Sequence, residues 1–122
     1  MKLVLFEVGN ETYALPIEKV RSIETVQPIR PVPLSPQHVL GVMNLRGVVI
    51  TVMDLRTMLG APAKELTPLN RLLIVDDKAY LVDEAHDVID CDDEDIQSYE
   101  TDNKYFKGVI RRGEKLVILI QL

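Results

Sequence analysis

Gly41 to Asp54 reads GVMNLRGVVITVMD, two apolar, β-branched segments on either side of Asn44-Leu45-Arg46-Gly47. That pattern predicts a hairpin of Val39 to Leu45 and Val48 to Asp54, with the Arg46 guanidinium fixed at a tight connection between strands. A permanent charge held on a rigid turn favours recognition of a partner, although it could equally satisfy carbonyls or a carboxylate nearby.

Alternation of this kind recurs along the chain. Leu3 to Val8 alternates as a strand, Gly9-Asn10-Glu11 turns, and Thr12 to Leu15 returns. Arg71 to Val75 and Ala79 to Val82 form a third hairpin around Asp76-Asp77-Lys78. Lys107 to Arg111 and Leu116 to Leu122 form a fourth around Arg112-Gly113-Glu114, and Val88 to Cys91 reads as a further strand.

Helix is scarce. Pro16 to Arg21 suits a short helical turn, and Leu55 to Leu59 suits one turn capped by Gly60. Pro28, Pro31, Pro33 and Pro36 remove ladder donors, so Val26 to Pro36 reads as an edge segment or loop. Ala61 to Asn70, with Pro62 and Pro68, reads as a linker and the place for a crossover between two subdomains. Nine or ten short strands in 122 residues point to small barrels within one domain, with a single β-sandwich as the other arrangement of such a strand list.

The net charge of −5 and dispersed basic residues argue against sequence-independent nucleic-acid binding. Cys91 is the only cysteine, which excludes an intrachain disulfide and a cysteine zinc cluster and fits a reducing compartment. No apolar run approaches the roughly 20 residues of a membrane span, and the start lacks a signal-peptide core, so a cytoplasmic protein without membrane insertion is expected.

Catalytic and metal motifs are weak. The run Asp90-Cys91-Asp92-Asp93-Glu94-Asp95 has Asp95 where a calcium loop of the EF-hand type needs Gly, and Thr101 where it needs Glu, so it reads as a solvated connection. His38 and His86 lie in no recognisable motif, and no G-x-S-x-G, Walker A or G-x-G-x-x-G sequence occurs. The methionines read as core filling. No cofactor and no enzyme activity are expected; a small ligand-binding or hydrolytic barrel using His86 and the carboxylates around it, Glu84 and Asp87, is the alternative from another class.

NLRG followed by a β-branched run and DLR, together with VLFEVGNETYALPIEKVRSI, Val82-Asp83-Glu84 and KGVIRRGEKLVILI, resembles the CheW-type adaptor domains of bacterial chemotaxis. The likeness covers nearly the whole chain. It implies a single domain over residues 1–122 made of two packed five-stranded SH3-like barrels. It also implies a non-catalytic adaptor that couples methyl-accepting chemoreceptors to the histidine kinase CheA, in flagellar chemotaxis or in a pilus-motility or other chemosensory pathway.

On that resemblance the receptor-binding candidates are Val20, Ile23, Asn44, Leu45, Arg46, Gly47, Val82 and Asp83. Val20 and Ile23 would line a groove between subdomains that accepts a receptor's helical tip, and the CheA regulatory domain would meet a barrel end. Three positions depart from the family pattern. Thr51 stands where many members have Pro, Ser22 stands at a position that is often acidic, and the chain stops at Leu122, where members usually continue into a closing helix. Without that helix an apolar surface is expected to be exposed and to drive self-association.

Overall fold

The computed structural model describes residues 1–122. Eleven strands form two sheets: β1 (Lys2–Val8), β2 (Glu11–Pro16), β3 (Ser22–Thr25), β4 (Val39–Leu45), β5 (Val48–Asp54), β6 (Arg71–Val75), β7 (Lys78–Val82), β8 (Glu84–Asp90), β9 (Ile96–Gln97), β10 (Phe106–Arg112) and β11 (Lys115–Ile120). A single helical turn, α1 (Leu55–Met58), and two 3-10 turns, Ile17–Lys19 and Asp93–Asp95, are the only helix.

One sheet runs β8-β1-β2-β11-β10-β9 and the other β3-β6-β7-β5-β4. The sequence expectation of two small barrels with very little helix therefore holds, with six strands in one sheet and five in the other. The four expected hairpins are all present, and a parallel pairing joins the two halves of each sheet, β2 with β11 and β5 with β7.

The connections differ from expectation. Residues 61–70, read as the crossover, join β5 and α1 to β6, all on the five-stranded side. The chain changes sheets at Ile17–Arg21 and again at Asp83, between β7 and β8. A two-proline stretch looks like a boundary because it cannot pair, yet the true passages need only one residue or one 3-10 turn, because strands of the two sheets lie against one another.

Three apolar clusters explain why so many strands lack clean alternation. Leu3, Leu5, Ala14, Ile110, Val117 and Leu119 fill the six-stranded barrel, and Met43, Ile50, Val52, Leu72, Ile74 and Leu81 fill the five-stranded one. Between them lies the largest cluster, with Phe6, Val8 and Leu15 from one sheet, Leu73, Val75, Tyr80 and Val82 from the other, and Leu55, Met58 and Leu59 from the α1 segment. Strands β1, β6 and β7 are thus buried on both faces, so their sequences read as continuous apolar runs.

The Val26–Pro36 stretch contributes no full strand, as its prolines require. Arg30 alone bridges to Val42, by N–H···O bonds of 2.8 and 2.9 Å, and covers the β4 edge. Gly41 makes that approach possible, since a Cβ there would collide with the Arg30 carbonyl and the Pro31 Cα.

Candidate interaction site

The NLRG turn is built from its own residues. Arg46 and Gly47 both have positive φ, 50° and 84°, as a two-residue hairpin connection of the type I′ class requires, and Leu45 pairs with Val48 across it. The Asn44 side-chain carbonyl accepts the Gly47 N–H at 2.8 Å and locks the turn. Asn44, Leu45 and Gly47 thus form the support that aims Arg46.

Arg46 donates from Nη2 to Glu24 Oε2 at 2.8 Å. Glu24 lies on β3, at one edge of the five-stranded sheet, and Arg46 follows β4 at the other edge, so the pair bridges the seam where the sheet curls closed. The guanidinium side chain is 67% exposed, so the pair contributes at most about 1 kcal/mol to stability and leaves most of the donors facing solvent.

Arg46, Leu45, Val48, Val49 and Ile50 line one wall of a groove of about 430 Å³, and Arg21, Ser22, Ile74, Asp76 and Asp77 line the other. Val48 and Val49 are among the most exposed large apolar residues of the protein. A cationic head beside two bare valines, with carboxylates opposite, suits a partner surface that offers both aliphatic contacts and an anionic group.

The remaining sequence candidates fall elsewhere. Val20 follows the Ile17–Lys19 turn and is half-buried against the inter-sheet cluster. Ile23 is exposed on β3 opposite Leu73, so it flanks the inter-sheet junction. The groove at that junction, about 420 Å³, is lined instead by Leu15, Pro16, Val75, Ile120 and Leu122 among others.

Val82 is fully buried in the inter-sheet core, so its side chain offers no contact surface. Asp83 holds the second passage between sheets: its Oδ2 accepts the Gly9 N–H at 2.7 Å and Lys64 Nζ at 3.3 Å, and its backbone N–H reaches the Glu7 carbonyl at 3.0 Å. Its Oδ1 is buried without a partner. The whole of β7 separates Asp83 from the Asp76-Asp77 turn at the groove, roughly 20 Å along a strand. Two clusters result, one at Arg46 and one at Asp83.

Glu24, Asp76 and Asp77 are the site residues that sequence reasoning missed. Glu24 lies 22 positions from Arg46, a separation without a local periodicity to betray it. The arginine of the DLR segment belongs to neither cluster. Arg56 is buried, donates from Nε to Asp54 Oδ1 at 2.9 Å and from Nη2 to Asp54 Oδ2 at 3.4 Å, and reaches the Lys64 carbonyl at 3.0 Å.

His86 lies on β8, with its Nε2 3.2 Å from Glu7 Oε2 on a half-exposed surface. No serine or cysteine shares its cleft, which is lined by Leu5, Glu7, Thr12, Asp87, Arg112, Gly113, Lys115 and Val117. Thr12 supplies the one hydroxyl of that lining. In the acidic run, Asp95 folds back to the Asp92 N–H at 3.4 Å and caps the Asp93–Asp95 turn. No helix of the protein is long and apolar enough to cross a membrane.

Two curled sheets sharing a core, with a charged turn held rigidly at the surface beside exposed valines, are the features of a small β scaffold of the protein-interaction class. Its family is identifiable. The CheW-like domain family matches residues 2–122, and the chain belongs to that family. It is 31% identical to the chemotaxis protein CheW of Rhizobium meliloti, over 99% of this chain and 84% of that protein. It is 39% identical to the CheW of Bacillus subtilis, over 80% of this chain and 65% of that protein. The crystal structure of the scaffolding protein TtCheW from Thermoanaerobacter tengcongensis superposes with a TM-score of 0.90 at 29% identity, covering 99% of this chain and 88% of that one.

Proposed function

We propose that this protein is a non-catalytic chemotaxis adaptor in the cytoplasm that couples methyl-accepting chemoreceptors to a CheA-type histidine kinase. Family membership over residues 2–122 supports the adaptor role, and the observation that carries the receptor assignment is the exposed Arg46 guanidinium beside Val48 and Val49. A receptor tip is helical, so its aliphatic side chains would meet the valines while an acidic side chain takes the free donors of Arg46.

On this reading the candidates take different roles. Arg46 makes the contact, with Asn44, Leu45 and Gly47 fixing its turn; Ile23 offers an apolar contact on the other face of β3, at the inter-sheet junction; Val20, Val82 and Asp83 hold the two sheets in register behind it. The kinase regulatory domain takes a separate barrel end, so one chain bridges two partners.

Titration of the purified protein with a receptor signalling-tip fragment, and separately with a CheA regulatory domain, tests this reading. Arg46→Glu places two carboxylates where Arg46 and Glu24 now pair, so receptor affinity should fall at least about tenfold while kinase-domain binding and the circular dichroism spectrum are unchanged. Unaltered receptor binding by a folded Arg46→Glu protein would overturn the site, and binding to neither partner by wild type would overturn the function.

A further inference from the structure

We propose that Glu7, Glu84 and His86 form a binding site for one divalent transition-metal ion of the zinc type. This site is independent of the Arg46 groove and of the adaptor reading. Strand register builds it: Glu7 on β1 stands directly opposite Glu84 on β8, and His86, two residues further along β8, emerges on the same face. A register shift between Val4 and Phe6 sets two residues of β8, His86 and Asp87, against one of β1, a bulge of the kind that re-aims side chains.

One donor atom from each residue lies within 4.8 Å of the other two, and His86 Nε2 already stands 3.2 Å from Glu7 Oε2. Ligands on a tetrahedral zinc at 2.0–2.1 Å are separated from each other by about 3.4 Å. The widest gap in the triad therefore has to close by at most about 1.4 Å, within the reach of surface side chains by rotamer adjustment.

Electrostatics favours occupancy. Two glutamates facing each other across an antiparallel pair repel, and neither forms an ion pair with a lysine or arginine. The nearby Lys64 is engaged with Asp83, and Arg112 and Lys115 across the cleft stay out of ion-pair distance. A divalent cation would answer both carboxylates at once.

The donor set selects the ion. One imidazole nitrogen with two carboxylates suits zinc, cobalt or nickel, whereas calcium and magnesium call for oxygen alone. Three protein ligands leave a coordination position open towards the cleft of about 600 Å³ that Glu7 and His86 line, so water or a partner's side chain would complete the sphere. The ion would clamp β8 to β1 immediately after the Asp83 passage between sheets.

The test uses the full chain, cobalt and zinc. Cobalt titrated into the protein and followed by d–d absorption, with zinc displacement and calorimetry, should show one equivalent per chain at micromolar affinity. His86→Ala and Glu84→Gln, each at a surface position and each checked by circular dichroism, should weaken binding at least tenfold. The paired substitution Asp93→Asn with Glu94→Gln, in the competing acidic turn, should leave it unchanged. Absence of saturable binding below millimolar, equal affinity in His86→Ala, loss of binding in the acidic-turn variant, or half an equivalent bound by a dimer would each overturn the site.

Discussion

Replacing Arg56 by Leu removes one partner of a fully buried ion pair and is expected to be among the most damaging single changes in this protein. Asp54 is 2% exposed and Arg56 3%. After the change the Asp54 carboxylate keeps only the backbone N–H of residue 56, now at 3.1 Å, and the Lys64 carbonyl loses its donor. Breaking a buried pair from one side costs about 3–5 kcal/mol, because the remaining charge is left without compensation. Against a total stability of about 5–15 kcal/mol, that raises the unfolded fraction by roughly a thousandfold.

Asp54→Asn keeps an N-cap acceptor for α1 but strands the guanidinium, so it should cost a similar amount. The double variant removes both charges and should cost only about 1–2 kcal/mol, so the two losses do not add. Urea unfolding followed by circular dichroism, at constant m, reads all three. A loss under about 1 kcal/mol in Arg56→Leu, or strict additivity in the double, would refute the claim that this pair is a buried staple.

Three further expectations follow from the same coordinates. Gly41→Ala forces a Cβ into the Arg30 carbonyl and should cost about 3 kcal/mol, whereas Gly47→Ala, at positive φ but in open space, should cost about 1 kcal/mol; equal losses in urea melts would contradict the backbone contact. Burial raises the Cys91 thiol above its ordinary 9.0 and the Tyr13 and Tyr80 hydroxyls above 10.0. The folded chain then holds protons that the unfolded chain releases, so stability is fully present below about pH 9 and falls as pH rises through these groups, and a urea midpoint that rises between pH 8 and 10.5 would be the wrong sign. Self-association is expected through the rim of the inter-sheet groove, where half-buried Leu122 lies over the buried Leu15, Val75 and Ile120, and light scattering at high micromolar concentration that reports a monomer would dismiss it.

The parts of the fold legible in the sequence are those in which local chemistry and tertiary pairing agree. All four hairpins carry turn residues between β-type runs, and β1/β2, β4/β5, β6/β7 and β10/β11 follow them. Strand β3, Ser-Ile-Glu-Thr, was not legible, because its short, half-polar sequence becomes a strand only by lying on β6. The first half of β8, Glu84 to Asp87, is mostly polar and only half-buried to exposed, so its pairing with β1 left no hydrophobic period, and two-residue β9 left none either.

Arg46 and Arg56 show where sequence runs out at the site itself. They flank the same strand, β5, each within a short block of similar composition, NLRG at one end and DLR at the other. Their charges and spacing from the strand do not separate their roles; burial does. Arg46 is held out by a turn that requires positive φ, a conformation that costs a non-glycine residue on the order of 1 kcal/mol, and it recovers little from an exposed pair. Arg56 is drawn in from the first turn of α1, where its carboxylate partner lies two residues away and its third bond reaches Lys64, which in turn reaches Asp83 at the passage between sheets. A strained, solvent-facing cation contributes to binding more readily than to folding, and a buried, fully engaged one the reverse. Substitutions at residue 46 should therefore alter partner affinity with little change in the urea midpoint, and substitutions at residue 56 should move the midpoint first and affinity only through loss of folded protein.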